Sequence, residues 1–308
     1  MFSSKFGIEI EMTGITRERA AKVIAEHFGT EAPRSENLRL SGREVKDRQG
    51  RKWKVVRDSS ICARRKVRGE YVSASNDYQV ELVSPPLRYR EDIEDLQELV
   101  RKLRRAGATA AKGTQCGIHI HLDGAPHTAR SLSNFVKIIA AKEDLLYDAL
   151  DFDPARQHWC RKTDRRMLDR LEQAKPRTLA EMRRVWYGSE GAGAGHYHDS
   201  RYTFLNLHSF FQAGGNHTVE LRAFSSPRLH AGEIRSFIVL ALALNHQALT
   251  QRSASSRRTQ TENPKFAMRT YLNRIGLIGD EFKNCRMHLT KHLEGNGAWR
   301  YREADRVA

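Results

Sequence analysis

The sequence predicts an α+β fold, a mostly antiparallel sheet with helices packed on one face. Short segments with strand-like alternation recur between helical segments of mixed length, and some sit close enough in pairs to form hairpins. No glycine-rich loop of the GxGxxG or GxxxxGKS/T kind joins a strand to a helix, which argues against a parallel, doubly wound sheet.

GIEIEM (7–12) alternates Ile8, Ile10 and Met12 with Glu9 and Glu11, the period of a half-buried strand. RERAAKVIAEHF (17–28) has helical periodicity, with Thr16 placed to cap its start and Gly29 to close it. REVKDRQGRKWKVVRD (43–58) predicts a hairpin turning near Gln49–Gly50. DYQVELVSPP (77–86) reads as a strand ended by two prolines, and 91–107 as an amphipathic helix closed by Gly107. CGIHIHLD (116–123) is a strand, followed by a helix from Ser131 to about Leu150. The polar stretch 151–200 ends in GSEGAGAGHYHD (188–199), a mobile loop by composition, either a lid or a plain connection. RYTFLNLHSFF (201–211) and HTVELRAFSS (217–226) predict two strands around the turn signal AGGN. EIRSFIVLALALNHQAL (233–249) is apolar on nearly every face and predicts a buried helix. Beyond the polar break RSASSRRTQTEN, Pro264 opens a helix (264–275), and a last one covers about 280–293. No repeat of fixed period occurs.

With 308 residues, 39% of them hydrophobic, the chain can bury the core of one large domain or two small ones. No stretch approaches the roughly 20 apolar residues that span a bilayer. The start, MFSSKFGIEIEM, lacks the apolar core of a secretion signal. Cys62, Cys116, Cys160 and Cys285 lie far apart without a CxxC pair, as reduced thiols do. A cytoplasmic location without membrane contact is therefore expected. The net charge of +16 suits anionic partners: nucleic acid, nucleotide phosphates or an acidic polymer. It equally suits plain solubility, because the basic residues are spread along the chain without an aromatic-interleaved stripe.

Side chains two apart in a strand share a face about 7 Å apart. Four strands repeat one arrangement: Glu9 and Glu11, Glu81, His119 and His121, and Glu220 with Arg222 all oppose apolar rows. Singly, each is an ordinary wet strand face or an exposed ion pair. In one sheet they would make a single surface of carboxylates, imidazoles and a guanidinium, and a cation would relieve its repulsion. The carboxylates offer the hard oxygen donors that Mg²⁺ or Mn²⁺ prefers, and His119 adds a nitrogen. Paired ions clamp a phosphoryl group, to which Arg222 would add a fixed fork.

The ordered series GIEIE, DSSI, VELVSPPL, CGIHIHLD, RYTFLNL and TVELRAF resembles the amidoligase family of carboxylate–amine ligases, which belongs with glutamine synthetase and γ-glutamylcysteine ligase. The resemblance covers roughly residues 5–250 and so implies a catalytic domain over 1–250, with 251–308 a basic helical extension packed on it. It implies a curved antiparallel sheet, like the catalytic domain of glutamine synthetase, holding ATP and Mg²⁺ on its concave face. Glu11 and Glu81 match ligands of the ion nearer the acceptor substrate. Glu9, His119 and Glu220 match ligands of the ion that bridges the ATP phosphates. His121 matches a position close to those phosphates, and Arg222 the arginine that holds the transferred phosphoryl group. Arg201 is matched to phosphate or substrate carboxylate, Asn206 to the pocket wall, and Asp58 to the group that recognises the attacking amine. RRKVRGEYVSASND (64–77) lengthens the gap between Asp58 and Glu81 relative to the family. The implied reaction is ATP-dependent, ADP-forming amide synthesis through an acyl phosphate, joining an amine to a small-molecule or peptide carboxylate. It needs no covalent enzyme intermediate, so Cys116 and Cys160 read as packing residues.

Two other classes stay open on the residues alone. His119 and His121 with the carboxylates also fit a metal-dependent hydrolase, for which HYH (196–198) and NHTV (216–219) are the candidate third histidines. The charge also fits a non-enzymatic nucleic-acid-binding protein, and a ligase acting on an acidic polymer or a nucleic-acid-linked carboxylate would use both features.

Overall fold

Alternating strands are stable only if their apolar rows are covered, and that requirement organises the chain. The protein is described here from a computed structural model, over residues 1–31, 42–188, 198–212, 214 and 216–299. Its N-terminal half runs β1 (Lys5–Met12), α1 (Arg17–Phe28), β2 (Arg43–Lys46), β3 (Lys52–Val56), β4 (Arg64–Val67), β5 (Glu70–Ser73), β6 (Val80–Val83), β7 (Leu87–Arg88) and α2 (Tyr89–Arg105). There follow β8 (Ile118–Asp123), α3 (Ala129–Ala149), α4 (Arg165–Ala174), α5 (Leu179–Tyr187), β9 (Leu205–Asn206), α6 (His208–Phe211), β10 (Thr218–Phe224), α7 (Ala231–Thr250), α8 (Pro264–Arg274) and α9 (Lys283–His288).

The main sheet has the order β2-β3-β6-β1-β8-β10-β9, with β7 also pairing β1, and every described pairing is antiparallel. This is the expected α+β arrangement: an open antiparallel sheet with helices on one side. β1 buries Phe6, Ile8, Ile10 and Met12; Val80 and Leu82 of β6, Ile118, Ile120 and Leu122 of β8, and Val219 and Leu221 of β10 extend that row. Helices α1 and α7 contact this side of the sheet. α7 is apolar all round because β8, α2, α3 and α9 surround it. The prolines after β6 interrupt the strand that follows β1, and Ser84 bridges the break by accepting from the Ile8 N–H at 2.9 Å.

Capping follows local chemistry. Thr16 Oγ1 accepts from the Arg19 N–H at the start of α1, and Gly29 closes it at φ 67, a backbone region open to glycine at low cost. Gly50, at φ 76, makes the turn between β2 and β3.

Several elements differ from the sequence reading. The strand expected over 201–211 shrinks to β9, because the Asn206 side chain accepts from the His208 N–H at 2.7 Å and starts α6 instead. The strand expected from residue 116 begins at Ile118. Gln115 ahead of it has a positive φ of 62, and the Gly117 N–H is spent on a side chain. Residues 76–78 form a 3-10 turn, so the strand expected over 77–86 is only β6, and β7 follows beyond the prolines. The helix expected over 280–293 is a 3-10 turn followed by the six-residue α9. The polar 151–200 stretch holds α4 and α5, and the freestanding β4–β5 hairpin had no counterpart in the reading. The Gly/Ala run falls mostly within 189–197, outside the described residues.

The segment after α7 packs back on the body through buried Met268, Leu272, Leu277 and Leu289, and the Thr259 N–H donates to Ala141 O at 2.9 Å. Among the described residues no helix is long and apolar enough to cross a membrane.

Arg156, 2% exposed, threads beneath the bulge of β10 between Leu221 and Phe224. Its guanidinium donates to Phe224 O and Arg222 O, both at 2.9 Å. Gly117 makes room for it: a Cβ there would lie 2.0 Å from Arg156 Nη2. Arg156→Met should therefore lower the unfolding free energy by about 2–5 kcal/mol, leaving two buried carbonyls without donors. Arg156→Lys should recover less than half, since an ammonium cannot span both carbonyls. Denaturant unfolding checks this, and an Arg156→Met change below about 1 kcal/mol would contradict it.

Candidate active site

Register decides which side chains meet. Directly opposed residues of antiparallel strands point to the same face, and their Cβ atoms lie about 5 Å apart. β1 sets Glu11 opposite Glu81 and Glu9 opposite His119. β10 sets Glu220 opposite His121 on one side and Asn206 on the other. Five strands thus deliver Glu9, Glu11, Glu81, His119, His121, Glu220 and Asn206 to the face away from α1 and α7.

The contacts are dense. His119 Nδ1 lies 3.0 Å from Glu9 Oε2 and 3.5 Å from Glu220 Oε1, and its Nε2 lies 3.5 Å from Glu11 Oε1. His121 Nε2 lies 3.2 Å from Glu9 Oε1, while its Nδ1 meets Thr218 Oγ1 at 3.1 Å. The Gly117 N–H donates to Glu11 Oε2 at 2.6 Å, and the Asn206 amide donates to Glu220 Oε2 at 2.7 Å. Arg222 pairs with Glu220 through Nη1. Glu11, His119, Asn206 and Glu220 are buried; Glu9, Glu81, His121 and Arg222 are half-buried. Asp58 arrives from the loop after β3, its Oδ1 accepting from the Ser60 N–H at 2.7 Å. Arg201 stands on the 3-10 turn Asp199–Arg201, its guanidinium 5.6 Å from the Tyr202 ring.

Among the described residues three overlapping donor groups result: Glu9–Glu81–His119, Glu9–His121–Glu220, and Glu11–Asp58–Glu81. Within each, one donor atom per residue lies within 4.8 Å of the others. Of histidines, they contain only His119 and His121. His217 instead meets Phe210 O through Nδ1 at 3.1 Å, His198 stacks 6.5 Å from His208, and His196 lies outside the described residues.

The electrostatics show the crowding. Burial pushes the Glu81 carboxyl up, and the charges of Glu9, Glu11 and Asp58 push it further, well above the usual carboxylate range. Burial acts on Glu9 in the same sense, but hydrogen bonds from His119 and His121 outweigh it and hold Glu9 well below that range. Burial opposes charging of His121, yet Glu220 and Glu9 raise it to about 9. Glu220 stays low despite burial because Arg222 and the two imidazoles face it. Like charges about 4 Å apart cost roughly 4 kcal/mol at an effective dielectric near 20, a repulsion that a bound cation would relieve. The oxygen-rich donor sets of the carboxylate row, two with one imidazole and one with none, fit Mg²⁺ or Mn²⁺.

A cavity of about 490 Å³ opens beside Glu9 and His121, walled by Lys5, Gly7, Pro86, Asp123, Asn216 and Thr218. Sequence reasoning missed Thr218, which one further step of the β10 alternation reaches. It also missed the Gly117 N–H, a backbone group with no side-chain signal, and Arg156, which belongs to no periodic segment.

A model of the family described as "Putative amidoligase enzyme" matches residues 3–245. No curated protein matches the chain.

Without divalent ions, Glu81→Gln should stabilise the protein. A carboxyl whose folded-state value is raised lends stability below the ordinary carboxylate range and loses it as pH rises through the raised value. In EDTA at about pH 8 the variant should melt about 2–4 °C above the wild type, and at about pH 4 the difference should vanish. With Mg²⁺ the order should reverse, because the variant lacks a ligand. A variant that melts lower in EDTA at the higher pH would show that Glu81 is not repelled.

Proposed function

The chain belongs to the amidoligase family, and we propose that it is an ATP-dependent, Mg²⁺-dependent carboxylate–amine ligase acting through an acyl phosphate. The observation that carries this reading is the convergence, on one sheet face beside a nucleotide-sized cavity, of carboxylates, imidazoles and a guanidinium. Mononuclear catalytic zinc sites typically supply at least two nitrogen or sulfur ligands, whereas each donor group here is carboxylate-rich and carries one imidazole or none.

Glu9, His119 and Glu220, which meet at His119 Nδ1, are suited to hold one cation, and Glu11 and Glu81 another, with Glu9 and Glu81 able to serve between them. When bound, such ions neutralise phosphate charge and template the reacting groups. The chain's own residues then have separate tasks. Arg222 is fixed by Glu220 and presents a cationic fork to the phosphoryl group as it moves from ATP to the carboxylate oxygen. His121, held protonated by Glu220 and Glu9 in the metal-free protein, faces the cavity proposed for the nucleotide and donates to its phosphates. Lys5 extends the positive lining of that cavity. Asn206 fixes Glu220, and Arg201 supplies a cation for the substrate carboxylate or phosphate.

Asp58, oriented by the Ser60 N–H, binds the incoming amine and takes its proton. The amine nitrogen attacks the acyl carbon, the bond from that carbon to the phosphate oxygen breaks, and phosphate leaves with its electron pair. Cys116 is an unsuitable nucleophile, since burial and then Glu11 push its thiol up. Amide formation thus proceeds on bound substrates alone, which would be a small-molecule or peptide carboxylate and an amine.

The test is ADP release with Mg²⁺ across pooled amines and carboxylates. The wild type should require both pools. Arg222→Ala should lose about 10²–10³-fold, and Glu9→Gln should fall with a raised Mg²⁺ requirement. Equal turnover in Glu9→Gln, or zinc-dependent hydrolysis without ATP, would sink the ligase reading.

A further inference from the structure

On the helix side of β9 lies a second cavity, of about 340 Å³, formed where α3, α4 and α5 meet the loop ahead of that strand. The two residues of β9 face opposite ways. Asn206 is in register with Glu220 on the reactive face, while Leu205 is in register with Leu221 on the covered face, and it is Leu205 that lines the cavity. The sheet therefore separates this cavity from the carboxylate row.

Its polar lining includes Asp164, which caps α4 by accepting from the Arg166 N–H, and Asp199, which is paired with Arg161; beside these stand an apolar wall and two uncommitted donors. Val136, Met167 and Leu205 supply the wall. Trp186, 4% exposed, has its Nε1–H buried without an acceptor among the described residues. The contrast with other tryptophans is direct: Trp53 donates to Asp47 at 3.2 Å and Trp159 to Gln115 at 2.9 Å. A buried N–H left unmade costs about 1–3 kcal/mol, and native proteins rarely leave one so. Arg170 gives its Nε–H to Val185 O at 3.1 Å, and no carboxylate pairs with its guanidinium among the described residues. The neighbouring cations are committed, Arg161 to Asp199 at 2.8 Å and Lys162 to Asp144. A water would satisfy the indole but would use neither the apolar wall nor the cation.

We infer that this cavity is a binding site for a small organic carboxylate with an apolar body. The carboxylate accepts from the Trp186 indole and the Arg170 guanidinium, and the body lies against Val136, Met167 and Leu205. Its ligand acts as an effector, not a reactant, because the reacting groups face the other side of the sheet. A bonded chain joins the two sides. Tyr187, also in the lining, meets His208 Nδ1 through its hydroxyl at 2.9 Å, the His208 N–H donates to Asn206 at 2.7 Å, and Asn206 donates to Glu220 at 2.7 Å.

The experiment titrates the full-length, ¹⁵N-labelled protein with hexanoate and phenylacetate, with hexanol as the neutral control, and follows the tryptophan indole N–H resonances. Trp186→Phe assigns the resonance of interest. The Trp186 signal should move and saturate while those of Trp53 and Trp159 stay in place. Hexanol and Arg170→Gln should each weaken binding by about tenfold, the loss of one charge-assisted bond, and Arg170→Lys should restore part of it. Failure of Trp186 to move at about 10 mM, or equal binding of hexanoate and hexanol, would overturn the inference. So would unchanged affinity in Arg170→Gln. No ATP, metal or turnover enters, so this outcome is independent of the ligase reading.

Discussion

Acidic groups set opposite one another, buried or half-buried, are the constraint on which the rest of the structure turns. Glu11 faces Glu81 across β1 and β6, and Glu9 lies between two imidazoles with Glu220 close by. Hydrophobic burial beneath the strands leaves no freedom to relieve this by slippage, because a one-residue shift would turn the Ile8–Ile10–Met12 row into solvent. Packing energy keeps the repelling carboxylates together, and under the proposed function a cation would turn the arrangement from a liability into a site.

The scaffold around that row serves to hold it. α7 presses on the covered side of β8, and Arg156 pins the β10 bulge at Arg222 and Phe224, beside the point where Glu220 and Arg222 emerge. Gly117 contributes twice through its lack of a side chain: its N–H reaches Glu11, and the space where a Cβ would stand is taken by Arg156. Asn206 occupies the edge strand yet ties Glu220 to the loop that begins α6. Stability and chemistry meet at the same few backbone positions.

The placement of the site was legible because period-two alternation is a strong, local signal: each of Glu9, Glu11, Glu81, His119, His121 and Glu220 sits opposite an apolar neighbour in its own strand. That these strands pair with one another is not local, and it was read from the order of the motifs. What escaped was carried by groups without periodicity. α4 has few apolar positions, Met167, Leu168 and Leu171, among charged ones, so it resembled a polar linker. RYTFLNLHSFF alternates like a strand, but the Asn206 side chain competes with sheet pairing and turns the backbone into α6. Arg156 acts through two carbonyls that no side-chain pattern announces.

The central claim, that this face exists to hold divalent cations, is tested most directly by anomalous diffraction from crystals grown with Mn²⁺ and a non-hydrolysable ATP analogue. The account predicts at least two manganese peaks on this face, one beside Glu9, His119 and Glu220 and one beside Glu11 and Glu81. Absence of manganese from this face, with the analogue bound elsewhere or not at all, would contradict it.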